Sequence, residues 1–351
     1  MTVDHYRRLF SPSYSGGNQG HGYLGFLYSD PVLPLNEKSL IAQVRSRAKR
    51  TRGVIAGIGD DCAILRIPAG HETLVTTDFS LEDVHFRRVW HRPDEVGWRC
   101  LTRGLSDIAA MGGKPVAAFL SLALPRTVPQ SWVDRFLTGL LHLAAKFKIS
   151  LAGGDTAESK ARILADIVVL GSTPKGTAIR RSGARPGDRI YVTGALGGSA
   201  ATLKLLFSGR KLRHGEYAQH FHPMPRIKIG NWLREHKLAS AMTDVSDGIS
   251  TDLWHICEES KVGAEIFANA IPLSKIGGLA KAVDLDSALH GGDDYELLFI
   301  VPRGKRIPAR VAGVPVTEIG SVTRGRKVVL VDGASRRSTL KPAGWQHFTR
   351  R

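Results

Sequence analysis

Acidic side chains recur in this sequence at turns, and most of those turns contain glycine. The first is GIGDD, residues 57–61, which sets Asp60 and Asp61 side by side. The later segments TTD, LSD, GGDT, DVSDG and GGDDYE supply Asp78, Asp107, Asp155, Asp244, Asp247, Asp293, Asp294 and Glu296. Asp and Gly are common turn formers, so each segment alone could be an ordinary turn. All of them adjoin apolar segments that must pack, and we therefore expect them to meet in one acidic site.

Carboxylates that share a site need compensating charge. Two of them about 6 Å apart repel by roughly 3 kcal/mol at an effective dielectric constant near 20. Cations among them remove this repulsion and the rise in carboxylate pKa that it would cause. Oxygen ligands without a nearby Cys or His pair favour hard ions, so Mg²⁺ is expected rather than zinc. Mg²⁺ bound in this way usually accompanies nucleotide phosphates, and the pattern therefore predicts a metal–phosphate site.

The common phosphate-binding motifs do not account for this pattern. The sequence contains neither GxxxxGK[ST] nor the HRD and DFG set of protein kinases. GIGDDC begins like a dinucleotide-binding fingerprint, but Cys62 occupies the place of its third glycine. A Rossmann dehydrogenase is therefore not expected.

The formal net charge of +17 makes nucleic-acid binding the alternative from a different functional class. Basic residues are densest in RSRAKRTR, residues 45–52. We identify no RNA-recognition motif and no zinc finger in the sequence. We therefore expect a solvated basic surface that attracts anionic substrates, rather than a specific nucleic-acid partner.

The segments between the acidic turns alternate between helical and strand-like patterns. Helices are predicted at 36–50, capped by Asn36, at 94–113, capped by Asp94, and at 131–147, 198–208, 225–236 and 250–260. Strands are predicted at 53–57, 62–67, 73–79, 116–125, 149–152, 162–172, 184–194, 264–267, 295–301, 316–320 and 327–331. This alternation predicts a mixed α/β fold with a flexible extension over residues 1–35, a first domain over 36–157 and a second over 158–351.

The cysteines and the N-terminal residues bear on the compartment. Cys62, Cys100 and Cys257 are far apart in the sequence, which argues against a disulfide framework and favours a reducing compartment. No apolar run approaches membrane-spanning length. Arg7 and Arg8 are not followed by the apolar core that a secretory signal requires. We expect a cytoplasmic protein with no membrane partner.

Taken in order, the motifs resemble those of the thiamine-monophosphate kinase family. The match includes GIGDD, TTD followed by VHF, LSDIAAMG, GGDT, RRSGARPGD, DVSDG, GGDDYELLF and a terminal GWQHF, within residues 37–348. The family shares a superfamily with aminoimidazole ribonucleotide synthetase and selenophosphate synthetase. The resemblance implies an N-terminal domain with a four-stranded sheet and helices that binds ATP and metal, a C-terminal α/β sandwich domain, and a homodimer formed through the N-terminal sheets. It also implies ATP-dependent phosphorylation of thiamine monophosphate to thiamine diphosphate with several Mg²⁺ ions.

The resemblance further implies a role for each residue that matches a family motif. The family's metal ligands fall on Asp61, Thr76, Thr77, Asp78, Asp107, Asp155, Asp244 and Asp247, with Asp60 supporting Asp61. Its ATP contacts fall on Gly154, Asp155, Arg181 and Ser246, and its substrate contacts fall on His85, Asp293 and Trp345. Relatives usually carry Glu at the position of Asp293, so this contact is expected to be one methylene shorter here or shifted. By residue type alone, His85 and Trp345 could instead be structural.

The implied reaction needs charge screening more than acid–base catalysis. The second pKa of a phosphate monoester is about 6, so the acceptor is already anionic near pH 7 and needs no general base. Mg²⁺ held by the carboxylates, together with Arg181, would screen both phosphates during in-line transfer. We expect no catalytic residue beyond these metal and phosphate ligands. A different ATP-dependent synthetase of the superfamily, similar to aminoimidazole ribonucleotide synthetase, remains the alternative.

Overall fold

A computed structural model of the protein describes residues 35–59, 61–278 and 282–348. Residues 1–34 of the predicted flexible extension and Asp60 lie outside the described residues. The helices are α1 (Glu37–Arg47), α2 (Pro93–Ala110), α3 (Gln130–Phe147), α4 (Gly198–Phe207), α5 (Ala218–Phe221), α6 (Ile227–Glu235), α7 (Ile249–Ser260) and α8 (Leu285–His290). Single 3₁₀ turns occur at His214–Tyr217 and Ala268–Ala270. None of the described helices combines the length and apolar character needed to cross a membrane.

The strands confirm the predicted mixed α/β class. They are β1 (Val54–Ala56), β2 (Ile64–Leu65), β3 (His71–Leu81), β4 (Lys114–Leu124), β5 (Ser150–Glu158), β6 (Leu164–Pro174), β7 (Arg189–Thr193), β8 (Ala241–Val245), β9 (Gly263–Phe267), β10 (Glu296–Val301), β11 (Arg310–Val311), β12 (Val314–Thr323), β13 (Val328–Val331) and β14 (Arg337–Thr339). The short strands β1 and β2 form a separate antiparallel pair.

The first domain is built on a four-stranded sheet in the order β3-β6-β4-β5. β6 runs antiparallel to both of its neighbours, and β4 and β5 are parallel. Helices α2 and α3 cover one face, where Leu101, Leu105 and Phe136 are fully buried. The opposite face exposes Val75 and Phe79 of β3, at 66% and 54%. The sheet therefore has one packed face and one face that is uncovered along β3, whereas β1 packs against the β4–β5 side of that face through Val54, Ala117 and Ala152.

The second domain is built on an eight-stranded sheet in the order β14-β13-β9-β12-β7-β10-β8, with β11 paired to β12. Neighbouring strands are antiparallel except β13 and β9. One face packs with α7 in a core that includes Val192, Val245 and Leu253. On the other face, Met242 and Phe299 join the core that contains α2. Helix α2 is therefore buried between the two sheets.

The predicted domain boundary at residue 157 is wrong. β6, at residues 164–174, pairs along its length with β3 and β4 of the first sheet. The first strand of the second sheet is β7, which begins at Arg189. The chain therefore changes domain between residues 175 and 188.

The helix caps agree with the sequence in one case and differ in another. At α1, the side chain of Asn36 accepts a hydrogen bond from the Ser39 amide, which confirms the predicted cap. At α2, Arg92 is the N-cap residue and Pro93 is the first helical residue, so the predicted cap at Asp94 is wrong. Proline suits the first helical position because its φ is already helical and its missing N–H would have no partner there.

Candidate active site

Three carboxylates from different elements meet where α2 lies between the sheets: Asp78 on β3, Asp107 on α2 and Asp244 on β8. Side chains alternate between the faces of a strand, so Thr76 and Asp78 share the face of β3 that is packed against α2. Thr76 Oγ1 donates a hydrogen bond to Asp107, and Ser106 Oγ donates to Asp244 Oδ2 at 2.7 Å. Both domains therefore contribute to one acidic cluster.

The cluster perturbs the ionisation of its members. Burial raises the pKa of Asp78 to about 7, with a further contribution from the nearby charge of Asp107. Burial and Asp107 likewise raise the pKa of Asp244 to about 7. Burial also raises the pKa of Asp107, against the lowering effect of the Thr76 hydrogen bond. These carboxylates carry full charge near neutrality only when a cation compensates them.

The donor set fits a hard divalent cation by its chemistry. All the donors are oxygens, and the buried Asp78 Oδ2 receives no hydrogen bond from the described residues. Among those same residues, no group of three or more His, Cys, Asp and Glu side chains is arranged to hold a metal ion as it stands. The carboxylates must therefore move closer together to surround an ion.

Other residues matched to the family's metal ligands lie in different environments. Asp247 borders the cluster at the start of α7, where burial raises its pKa. Thr77 lies on the uncovered face of the first sheet and donates to Asp166 Oδ1 at 2.7 Å. Asp61 and Asp155 are exposed. The structure thus brings Asp247 close to the trio but does not join the side chains of the other three to it.

The residues matched to ATP contacts come from both domains. Gly154 has φ +150°, and a Cβ there would lie 1.8 Å from the Leu120 carbonyl oxygen, so this position on β5 requires glycine. Arg181 lies in the segment between the sheets, and its charge opposes the rise in the pKa of Asp107 and Asp244 that burial causes. The Ser246 carbonyl accepts a hydrogen bond from the Asp293 amide at 2.9 Å. Arg181 is therefore placed to neutralise charge at the cluster.

Asp293 is held by three donors. Its Oδ2 accepts from Arg99 at 2.8 Å, and its Oδ1 accepts from Arg103 at 3.3 Å and from the Tyr295 hydroxyl at 2.6 Å. Burial alone would raise the pKa of Asp293, but the guanidinium groups of Arg103 and Arg99 outweigh burial and hold that pKa below its usual range. Asp293 is therefore ionised, and its oxygens are largely occupied by protein donors.

His85 and the C-terminal segment lie near Asp293. Burial and the charge of Arg103 lower the pKa of His85 to about 3, so the ring is neutral. Its Nδ1 accepts from the Leu81 amide at 3.0 Å, which places the proton on Nε2. The His347 ring lies 5.6 Å from the His85 ring, and the Trp345 amide donates to the Asp247 carbonyl at 3.2 Å. The terminal GWQHF motif therefore lies between Asp247 and His85.

Sequence reasoning missed three polar residues around the site and Asp166 on the opposite face of the first sheet. Asp166 is an acid within an otherwise apolar strand, and Asp252 is a buried acid that accepts from the Gly248 amide at 3.0 Å. Arg99 and Arg103 precede Asp107 on α2 at intervals of four residues. This spacing, which places all three on one helical face, was the signal that could have identified the arginines.

Comparisons with known proteins cover both domains. Residues 59–173 match the AIR synthase related protein, N-terminal domain, and residues 185–333 match the AIR synthase related protein, C-terminal domain. The interval between the two matches falls where the chain passes from the first sheet to the second.

Individual relatives are similar over nearly their whole length. The chain is 37% identical over 326 residues to thiamine-monophosphate kinase of Escherichia coli (strain K12), which covers 89% of this chain and 98% of that protein. Thiamine-monophosphate kinase from Stenotrophomonas maltophilia K279a has a crystal structure that is 35% identical, with a TM-score of 0.74 over 84% of this chain and 96% of that one. AaThiL complexed with AMPPCP and TMP is 31% identical, with a TM-score of 0.71 over 89% of this chain and 96% of that one. The similarity therefore includes the elements that carry the buried carboxylates.

Proposed function

Because the chain belongs to the thiamine-monophosphate kinase family, we propose that its buried carboxylates bind Mg²⁺ for direct phosphoryl transfer from ATP. ATP-dependent phosphorylation of thiamine monophosphate to thiamine diphosphate is the activity of this chain. The observation that carries the metal proposal is the trio Asp78, Asp107 and Asp244, whose burial and mutual repulsion call for a cation.

Within this proposal, the chain's own residues orient and screen the phosphates. Asp78, Asp107 and Asp244 are the central ligands, and the hydroxyls of Thr76 and Ser106 fix the rotamers of Asp107 and Asp244. The remaining proposed ligands are Thr76, Asp61, Asp155 and Asp247, together with Thr77, whose hydroxyl lies on the other face of β3. Bound Mg²⁺ would neutralise the charge that the phosphates and the transition state bring into the site.

The transfer itself needs no covalent enzyme intermediate. An oxygen of the acceptor phosphate forms the new bond to the γ-phosphorus of ATP. The bond from that phosphorus to the β–γ bridging oxygen breaks, and ADP leaves with this oxygen. The acceptor oxygen is already anionic near neutral pH, since the second pKa of a phosphate monoester is about 6.

In this proposal, ATP and the acceptor occupy two ends of the site that meet at Ser246 and Asp293, whose backbones are hydrogen-bonded to each other. Gly154, Asp155, Arg181 and Ser246 form the ATP end. His85, Asp293 and Trp345 form the acceptor end, where Trp345 is 41% exposed and its ring contacts the His347 ring edge-on. This order places the two phosphates next to the carboxylates.

The assay that tests this function measures products rather than ATP consumption alone. With Mg²⁺, ATP and thiamine monophosphate, the purified protein should form ADP and thiamine diphosphate in equal amounts, and EDTA should abolish both. γ-Labelled ATP without acceptor should leave no acid- or base-stable label on the chain. If the protein consumed ATP only with the acceptor of a related synthetase, such as a precursor of aminoimidazole ribonucleotide, that acceptor would replace thiamine monophosphate as the proposed substrate. Stoichiometric labelling of the chain would show that transfer proceeds through a phosphorylated enzyme rather than directly.

We also propose that the protein works as a cytoplasmic homodimer. Val75 and Phe79 are exposed apolar side chains on the uncovered face of the first sheet and are suited to contact a second copy of this chain. Cys62, Cys100 and Cys257 are free thiols, as expected in a reducing compartment.

A further inference from the structure

One face of α2 carries charged groups along the length of the site. Arg99, Arg103 and Asp107 are four residues apart, so each lies about 6 Å along the helix axis from the next. Arg99 lies at the Asp293 end, and Asp107 belongs to the carboxylate cluster. Arg103 therefore lies between the proposed acceptor end and the proposed metal ligands.

The two arginines differ in how many of their donors are occupied. Arg99 donates from one terminal nitrogen to the His220 carbonyl and from the other to Asp293 Oδ2. Arg103 donates one hydrogen bond, at 3.3 Å, to Asp293 Oδ1, and no other to the residues that the structure describes. A guanidinium group has five N–H donors. Arg103, whose side chain is only 14% exposed, therefore holds several donors ready inside the site.

In the part of the chain that the structure describes, the two guanidinium groups have one ion-pair partner between them, and Arg103 also faces the charge of Asp78. The guanidinium groups of Arg99 and Arg103 share the single carboxylate of Asp293, and within the described residues neither forms an ion pair with a second acid. Asp293 in turn has both oxygens engaged by the arginines and Tyr295. If bound Mg²⁺ compensates Asp78, as proposed above, Arg103 is left to pair with an anionic ligand. Asp293 has few acceptor sites left for a direct contact with a ligand.

We propose that Arg103 binds the phosphate group of the acceptor, and that Asp293 is a positioning residue that holds Arg103 and Arg99 for this contact. The proposal rests on the function proposed above and assigns the phosphate contact of the same site. A guanidinium group suits this role because it presents paired donors to two phosphate oxygens. Placed one helical turn from Asp107, it screens the acceptor phosphate from the phosphates of ATP.

The test compares the affinities of thiamine monophosphate and thiamine, which differ by the phosphate group. Calorimetric titration of the full chain should show tighter binding of the monophosphate by the wild type. Arg103→Gln should weaken binding of the monophosphate by about 10- to 100-fold, as expected for loss of hydrogen bonds to a charged group, and should leave thiamine within about twofold. Arg103→Lys should recover part of the loss, since a point charge replaces the paired donors. Steady-state kinetics should show a raised KM for the monophosphate and an unchanged KM for ATP.

Two further variants keep the result interpretable. Arg189→Gln removes an exposed guanidinium group that pairs with Glu318 in the second domain, and it should leave both affinities unchanged. Asp293→Asn should weaken binding of the monophosphate more than binding of thiamine, because Asp293 acts through the two arginines. An equal loss of affinity for both ligands would mean that Asp293 contacts the thiamine portion directly, and would overturn its assignment as a positioning residue.

The outcomes separate this inference from the proposed function. If the wild type makes thiamine diphosphate and Arg103→Gln keeps the preference for the monophosphate, the role of Arg103 is wrong and the function stands. If the wild type neither binds nor phosphorylates thiamine monophosphate, the function itself is wrong. Should Arg103→Gln fail to fold, the Arg103→Lys and Asp293→Asn titrations decide the same question, and an unchanged preference in both would overturn it.

Discussion

At the scale of single residues, repulsion among Asp78, Asp107 and Asp244 couples the stability of the metal-free protein to pH. Burial and mutual charge raise the pKa of Asp78 and Asp244 from 3.8 to about 7. Between these values, the folded chain holds protons that the unfolded chain has released. The contribution of these protons to the free energy of unfolding is therefore complete below about pH 4, and it is lost as the pH rises through 7. These two groups therefore contribute least to the stability of the metal-free protein at neutral and alkaline pH.

Asp107→Asn should relieve this strain, because Asp107 contributes to the raised pKa of both neighbours. We expect the metal-free variant to gain roughly 0.5–2 kcal/mol in free energy of unfolding near pH 8, a typical gain for a relaxed functional site. The gain should shrink at about pH 4, where the carboxylates are protonated in both states. Denaturant unfolding with EDTA at the two pH values measures the difference.

The same variant should lose kinase activity and most of the stabilisation that Mg²⁺ and ATP give by binding the folded state. An amide is a poorer ligand for Mg²⁺ than a carboxylate, although it can still accept the Thr76 hydrogen bond. A variant that unfolds more easily without metal and keeps full activity with it would make Asp107 a structural residue.

The sequence predicted this acidic cluster better than it predicted the cations around it. In the sequence, Asp107 and Asp244 lie within a few residues of Gly112 and Gly248, and Asp78 follows two threonines in an otherwise apolar segment, so each acid is conspicuous. Arg99 and Arg103 lie inside a helix that is buried on both sides, and in a chain of net charge +17 two further arginines are not conspicuous. Their role depends on Asp293, which approaches α2 only in the folded chain.

At the scale of elements, local patterns predicted most helices and strands but not their long-range pairing. The predicted helix at 131–147 differs from α3 by one residue, since its apolar positions recur at helical spacing. β8 was not predicted, because its five residues are fully buried and show no alternation. The domain boundary was misplaced because β6 pairs with β3, and no local pattern reveals such a distant partner.

The contact between α2 and α3 offers a test of how elements position the site. A Cβ at Gly139 of α3 would lie 1.8 Å from the Asp94 carbonyl oxygen, and one at Gly97 of α2 would lie 1.9 Å from the Phe136 carbonyl oxygen. The two backbones are therefore in direct contact. Because α2 carries Arg103 and Asp107, any separation of the helices moves the active site.

Gly139→Ala should destabilise the fold by about 1–3 kcal/mol, the usual effect of overpacking a core, and should lower kcat. Gly215→Ala is the matched control, because a Cβ at Gly215 meets nothing within 4 Å. Urea unfolding and steady-state kinetics of the two variants measure these effects. Equal stability of both variants would show that the helices can separate without strain.

At the scale of the whole molecule, an acidic site lies inside a strongly basic chain. The carboxylates of the cluster are buried, whereas many cations, such as Arg126 and Arg336, are largely exposed. A basic surface attracts ATP and thiamine monophosphate, both of which are anions, and salt weakens this attraction. The net charge thus favours substrate encounter, and the buried carboxylates select the cation that must accompany the phosphates.

The uncovered face of the first sheet carries the last prediction, that the chain dimerises there. Val75, Thr77 and Phe79 alternate outward along β3, with Val75 66% and Phe79 54% exposed, and Thr77 binds Asp166 between them. A stable interface buries about 800 Å² on each partner, and a wide, half-apolar sheet face can supply this area. Wild-type protein should sediment as a dimer at micromolar concentration.

Phe79→Asp should shift this equilibrium to the monomer by at least about tenfold, because dimerisation would bury an unpaired carboxylate against apolar side chains. Val89→Asp is the control, since Val89 is 85% exposed in the segment after β3 and lies outside the sheet face. Sedimentation velocity over a range of concentrations compares the two variants with the wild type, and circular dichroism verifies their folds. A monomeric wild type, or an equal shift in both variants, would contradict dimerisation through this face.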